Sequence, residues 1–139
     1  MDPLGLLSGG GLAAAVMSWS WDKPPTTVKH FYGVLLLFFP AVYWTFALWK
    51  ANMAGLQHEV LTGIPYMAAA VVALRSKRTQ LGLFVLAAAI GSHGVYDIFH
   101  FTSYGSHVAP GWYPQACLTF DVPVGMYLFS VASTSARPH

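Results

Sequence analysis

A run of nineteen residues without a charge, FYGVLLLFFPAVYWTFALW at positions 31–49, constrains this chain more than any other feature. At a helical rise of about 1.5 Å per residue, roughly 20 apolar residues cross the hydrocarbon core of a bilayer. Only 9% of the chain is charged and 55% is hydrophobic, which is unlike a soluble protein. Because backbone groups in lipid must be satisfied internally and no strand-like alternation is present, the spanning elements are predicted to be helices.

Three further apolar stretches follow the first. The sequence therefore predicts an all-α integral membrane protein built on a bundle of four transmembrane helices. The predicted spans are 30–50, 54–75, 80–101 and 115–132, within a transmembrane domain of residues 28–132. Residues 133–139 are predicted to form a cytoplasmic tail.

The N-terminal segment, residues 1–27, is apolar but rich in glycine, with three glycines in a row at 9–11. Asp2 is its first charge, so it lacks the basic start of a secretory signal. Trp19 and Trp21 are residue types that favour the membrane interface. We expect an interfacial or re-entrant segment here, and a fifth span is the alternative.

The distribution of basic residues predicts the orientation. The segment RSKR at 75–78 forms a compact basic turn, and placing it in the cytoplasm also places Lys23, Lys29 and Arg137 there. Only Lys50 is then on the far side. The positive-inside rule therefore predicts that both ends of the four-helix core are cytoplasmic. The net charge of +2 is too small to indicate a nucleic-acid partner.

Ionisable side chains inside the predicted spans are the main functional lead. Such groups are costly at membrane depth and usually face a partner, a cavity or a substrate. In the third span His93, Asp97 and His100 are spaced i, i+4, i+7, which places them within an arc of roughly 60° on one helix face. The candidate catalytic residues, predicted to lie at a common depth, are Glu59, Asp97, Asp121, His58, His93 and His100.

These residues suggest acid–base chemistry on a lipophilic, isoprenoid-like molecule, such as isomerisation, cyclisation or epoxide opening, without a cofactor. Asp97 and Glu59 are the expected acid and base, Asp121 tunes them, and the histidines orient the acids or relay protons. The pocket is expected to open toward the outer face or laterally into the outer leaflet. Its predicted aromatic lining comprises Tyr43, Trp44, Tyr66, Tyr96, Phe99, Trp112 and Phe120.

Several alternatives stay open. The acids and histidines could simply bond to one another across helices. Haem or a divalent metal held by His58, His93 and His100 would make the chain a small metal-binding subunit, although the motifs HExxH and CxxCH are absent. An accessory subunit of a larger complex, or a transporter formed by a homo-oligomer, is also compatible with the composition. The connector at 102–114 is a candidate lid that would contribute His107.

Overall fold

The computed structural model describes residues 2–103 and 108–135, and within this part the side chains of 100–103 are not described. The described residues form five helices, which confirms the prediction of an all-helical chain. The helices are α1 (Pro3–Ser20), α2 (Pro25–Trp49), α3 (Met53–Arg75), α4 (Thr79–Ser103) and α5 (Tyr113–Thr134).

Three of the helices are long and apolar enough to cross a membrane: α2, α5 and the Thr79–Phe99 part of α4. The chain therefore has the architecture of a helical membrane protein. The predicted count of four spans is not reproduced, because the predicted span 54–75 is not among these three helices. It forms helix α3, in which Gln57, His58 and Glu59 follow one another and lower the hydropathy although the helix has 23 residues.

The helix starts follow from local sequence. Asp2 accepts a hydrogen bond of 2.9 Å from the backbone N–H of Leu4 at the start of α1. Asn52 caps α3 in the same way, accepting a 2.9 Å bond from the N–H of Gly55. Such side-chain oxygens satisfy backbone donors that have no partner inside the helix.

Short loops at 21–24, 50–52 and 76–78 make consecutive helices antiparallel. We call the end of the bundle with loops 21–24 and 76–78 the basic end, and the end with loop 50–52 and Trp112 the aromatic end. At the basic end the ammonium group of Lys29 donates a 2.8 Å hydrogen bond to the carbonyl of Ser76. A cation at this position stabilises the C-terminus of α3.

The sequence led us to expect that the N-terminal segment is interfacial or re-entrant beside a four-helix core, and this expectation is wrong. It is a continuous helix of 18 residues that packs along α5. Gly5, Gly9 and Ala13 are buried at a spacing of four residues, and a Cβ at Gly9 would overlap the carbonyl oxygen of Ala116. Small residues at this spacing allow close backbone approach, which explains why α1 joins the bundle.

At the basic end Ser20 joins three helices. Its Oγ lies 3.2 Å from the hydroxyl oxygen of Tyr32 in α2 and 3.1 Å from that of Tyr127 in α5. The rings of Trp19 and Phe31 are also in contact there, with centroids 4.7 Å apart. Helices α1 and α2 therefore meet at the basic end of the bundle.

Candidate functional site

His93 of α4 is at the centre of the buried polar cluster. Its Nδ1 lies 2.8 Å from Oδ2 of Asp121 in α5 and 3.6 Å from Oδ2 of Asp97, one turn further along α4. The three side chains are all buried, and Asp97 has no exposed surface at all. The i, i+4 spacing places His93 and Asp97 on the same face of α4, as the sequence predicted.

Gly94 allows Asp121 to come this close. A Cβ built on Gly94 would lie only 2.8 Å from the Cβ of Asp121. On the preceding turn, the Cα of Gly91 faces that of Gly125, and a Cβ on Gly125 would be 2.9 Å from it. Gly94 of α4 and Gly125 of α5 therefore allow the close approach of the two helices, and this approach brings the Asp121 carboxylate to His93.

Tyr43 holds the second carboxylate. Its hydroxyl donates a 3.0 Å hydrogen bond to Oδ1 of Asp97, and both side chains are buried. The other aromatic rings around the cluster pack on His93: the ring of Tyr66 meets the imidazole edge-on at 4.9 Å, and the ring of Phe39 lies at 5.1 Å. These rings keep bulk solvent from the cluster, which strengthens the electrostatic interactions inside it.

Glu59 of α3 reaches the cluster across a small cavity of about 10 Å³. This volume is close to the minimum that one water molecule requires. The cavity is lined by Pro40, Tyr43, Glu59, Thr62, Gly63, Tyr66, His93 and Tyr96. Glu59 is itself buried, and it borders the same small cavity as His93.

On the other side of the cluster lies a much larger apolar groove of about 330 Å³. Helices α1, α2 and α5 form its walls. The lining residues are Ser8, Gly9, Leu12, Leu35, Phe38, Phe39, Val42, Trp112, Tyr113, Ala116, Cys117, Phe120 and Asp121. We call this cavity the lateral groove. Asp121 is the acidic residue of its lining. Its side chain is only 1% exposed, so the carboxyl group that contacts His93 lies just behind the wall of the groove.

The structure brings most of the predicted residues to these two cavities. Glu59, Asp97, Asp121 and His93 converge, although they come from three helices. Among the predicted aromatic residues, Tyr43, Tyr66 and Tyr96 line the small cavity, while Phe120 and Trp112 line the lateral groove.

Other predicted residues lie apart from the cluster. His58 Nε2 is 3.4 Å from the hydroxyl oxygen of Tyr96, at the edge of the small cavity. Phe99 is 64% exposed and borders neither cavity, and Trp44 packs beside Gly63 behind the cavity wall. The side chain of His100, and His107 altogether, lie outside the described residues.

The contribution of α1 was missed by sequence reasoning. Ser8, Gly9 and Leu12 form one wall of the lateral groove, and Cys117 and Phe39 were likewise not among the predicted site residues. The spacing of Gly5, Gly9 and Ala13 was the signal that could have placed α1 against another helix.

The cluster also offers metal ligands. One ligand atom from each of His93, Asp97 and Asp121 can be chosen such that all three lie within 4.8 Å of one another. One nitrogen and two carboxylate oxygens suit zinc or non-haem iron. This set differs from the predicted set of three histidines, since among the described residues His58 belongs to a separate contact with Tyr96.

No family model, curated protein or solved structure matches this chain. What the site can do is therefore derived from its geometry. A buried imidazole between two carboxyl groups can accept and return a proton without large movement, and one of the two acidic residues, Asp121, belongs to the lining of an apolar cavity.

Proposed function

We propose that this chain is a membrane-embedded enzyme that performs acid–base chemistry on a lipophilic small molecule. The observation that carries the proposal is the position of Asp121, which borders the lateral groove and lies 2.8 Å from His93. An apolar molecule in the groove would find one proton-carrying group at its wall, backed by a buried base. Enzymes commonly set such an acid and base side by side in a water-poor site.

The roles follow from the contacts. Asp121 donates a proton to a carbon–carbon double bond or an epoxide oxygen, and His93 holds the resulting carboxylate by its 2.8 Å contact until that carboxylate takes a proton back. Asp97 holds the imidazole from the other side and is itself fixed by Tyr43. This assignment differs from the expectation based on sequence, in which Asp97 and Glu59 were acid and base. Glu59 instead borders the small cavity, from which a water could exchange protons with His93.

The groove lining supports an isoprenoid-like substrate. Protonation of a double bond creates a carbocation, and aromatic faces stabilise cations within about 6 Å of the ring. Phe39 and Phe120 supply such faces. The Asp121 carboxylate then takes a proton from a neighbouring carbon, which regenerates the acid and gives an isomer or a cyclised product. The net reaction consumes no oxidant, reductant or co-substrate.

Deuterium incorporation tests this chemistry. Purified protein in bilayer nanodiscs is incubated in D₂O with a panel of isoprenoid alcohols and epoxides, and the recovered lipids are analysed by mass spectrometry. Proton delivery by Asp121 predicts deuterium at carbon for at least one substrate, with a loss of at least about a hundredfold in Asp121→Asn. Asp22→Asn, in the exposed loop 21–24, is the matched control. Equal incorporation by Asp121→Asn and the parent protein would remove Asp121 from the mechanism.

Metal binding is a second candidate function, favoured by the ligand atoms of His93, Asp97 and Asp121 within 4.8 Å of one another. A divalent ion there would act as a Lewis acid or activate a water molecule. Elemental analysis of the purified protein separates the two candidates. One equivalent of zinc or iron that is lost in His93→Gln would support the metal centre, whereas a metal-free protein that incorporates deuterium would support acid–base chemistry.

For the topology we propose that the basic end faces the cytoplasm, because Lys23, Arg75, Lys77 and Arg78 gather there. The start of α2 and the end of α5 are then both cytoplasmic. Since α1 runs parallel to α5, its N-terminus lies on the opposite side. Single cysteines in a Cys117→Ser background test this: Ser76→Cys should react with an impermeant maleimide from the cytoplasmic side, and Lys50→Cys from the other side.

A further inference from the structure

The lateral groove opens sideways, toward the region that lipid would occupy. Helices α1 and α2 meet at the basic end through Ser20 and Tyr32, and the groove lies between them beyond this contact. Its rim residues are strongly exposed, Leu12 at 58% and Phe38 at 62%. For a chain with membrane-spanning helices, exposed apolar residues on a helix face normally contact lipid.

The dimensions of the groove restrict its occupant. It extends along α5 from Trp112 to Asp121, a distance of about 13 Å at helical rise. Its volume of about 330 Å³ lies at the small end of the range for sites that hold small molecules, whereas a helix about 10 Å in diameter would occupy about 1,000 Å³ over the same length. The groove therefore suits a slender hydrocarbon chain better than a helix of another protein or of a second copy of this chain.

We propose that the lateral groove binds the single hydrocarbon chain of a lipid-like substrate, which enters from the bilayer between α1 and α2. The inference deepens the proposed function and rests on it for the chemistry at Asp121. The reacting double bond lies inside the chain, about 13 Å from the group that remains near Trp112. The substrate class is thus a single-chain lipid with an internal double bond, not a two-chain phospholipid and not a rigid sterol.

The polarity of the lining agrees with this orientation. The hydroxyl of Ser8 and the indole of Trp112 line the groove at the aromatic end, where a small head group such as an alcohol finds hydrogen-bonding partners. Between this end and Asp121 the walls are apolar, with Val42, Ala116 and Phe120 among them. A volume of about 330 Å³ holds on the order of ten methylene groups, taking each to be about as large as a water molecule.

Cys117 provides a direct readout of occupancy, because it lines the groove and is the single cysteine of the chain. The full chain is reconstituted in nanodiscs of saturated phosphatidylcholine, and the rate of its modification by N-ethylmaleimide is followed by mass spectrometry. Oleyl alcohol, a single chain with an internal double bond, is expected to slow the reaction at least about tenfold at saturation. Cholesterol and dioleoylphosphatidylcholine, added at the same mole fraction, are expected to leave the rate unchanged within about twofold.

Two matched variants test whether the groove itself controls the reaction. Val42→Trp places an indole in the groove and is expected to slow modification of Cys117 without ligand. Val34 lies two turns earlier on the same helix and is not among the residues that line the groove. In Val34→Trp, Cys117 should therefore react at the rate found for the parent protein. Ser8→Phe fills the groove from α1 and provides a second blocking variant if Val42→Trp fails to fold.

The outcomes separate the groove from the chemistry. In Asp121→Asn, protection of Cys117 together with unchanged deuterium incorporation would support chain binding in the groove and would refute proton donation by Asp121. Equal protection by the phospholipid or by cholesterol would overturn the single-chain assignment. Modification of Cys117 in Val42→Trp at the rate of the parent protein would overturn access through the groove.

Discussion

The hydroxyl of Tyr43 donates a 3.0 Å hydrogen bond to Oδ1 of Asp97, joining α2 to α4 inside the bundle. The other oxygen of Asp97 faces His93 Nδ1 at 3.6 Å, and His93 in turn contacts Asp121. One continuous set of polar contacts therefore connects α2, α4 and α5. Polar contacts away from water are strong when each group is satisfied and costly when one partner is removed.

The Tyr43–Asp97 contact is expected to couple the two residues energetically. In a double-mutant cycle of Tyr43→Phe and Asp97→Leu, we expect a coupling free energy of about 1 kcal/mol, since each single variant removes the same hydrogen bond. Reversible unfolding in mixed micelles gives the four free energies. A coupling below about 0.3 kcal/mol would mean that the bond contributes nothing to the folded state.

Replacing His93 alone should be more harmful than replacing it together with its partner. His93→Phe fills the space between Phe39 and Tyr66 but leaves Asp121 buried without the imidazole, and we expect a loss of about 3 kcal/mol in unfolding free energy. His93→Phe combined with Asp121→Leu should recover most of this loss. The same unfolding assay checks the prediction, which fails if the double variant is less stable than His93→Phe.

Replacing Gly94 by alanine should destabilise the protein, whereas the same replacement at Gly91, on the same helix, should be tolerated. An alanine Cβ at Gly94 would lie 2.8 Å from the Cβ of Asp121, whereas at Gly91 the nearest neighbour is 3.9 Å away. We expect Gly94→Ala to cost about 1–3 kcal/mol by overpacking and to displace Asp121 from His93. Imidazole ¹⁵N chemical shifts of His93 report the displacement. Unchanged shifts in Gly94→Ala and altered shifts in Gly91→Ala would contradict this geometry.

Neighbouring glycines of α1 provide a second matched pair. Gly9→Ala would push α1 from α5, since its Cβ overlaps the carbonyl of Ala116, while nothing lies within 4 Å of a Cβ at Gly10. Gly10→Ala should be neutral or stabilising by up to about 1 kcal/mol, because alanine favours helix. Gly9→Ala should destabilise and make α1 sensitive to limited proteolysis at loop 21–24. Equal behaviour of the two variants would refute the docking of α1 through Gly9.

Ser20→Ala should loosen the basic end of the bundle. It removes the hydroxyl that contacts both Tyr32 and Tyr127 in a fully buried position, and we expect a loss of about 1–2 kcal/mol. Ser18→Ala, on the exposed side of the same helix turn, is the control and should change the unfolding free energy by less than about 0.5 kcal/mol. The prediction is wrong if the two substitutions have equal effects.

The helical character of the chain could be predicted from the sequence, because the apolar runs are long and few backbone conformations satisfy all backbone hydrogen bonds in lipid. The role of α1 was not. Its residues carry no charge between Asp2 and Asp22, so hydropathy does not distinguish an interfacial segment from a packed helix. The deciding feature is steric. Gly5, Gly9 and Ala13 share one face of α1, and whether this face can pack closely depends on the surface of α5 that it meets.

The candidate site likewise has features that the sequence predicts and features that only the structure shows. The burial cost of ionisable groups identified Asp97, Asp121 and His93 as residues that must face partners, and their spacing placed two of them on one face of α4. Sequence could not tell which carboxyl group borders the apolar space, since this depends on the rotation of α5 set by Gly94 and Gly125. It also could not separate Phe99, which is exposed, from Tyr66, which packs on His93.

The sideways opening between Leu12 and Phe38 has a consequence for how binding must be measured. A ligand that enters from the bilayer responds to its mole fraction among the lipids, and not to its concentration in the buffer. Adding empty vesicles to a fixed amount of such a ligand dilutes it at the groove, although its amount per litre stays constant. Half-saturation points will therefore agree between preparations only when they are expressed per lipid molecule.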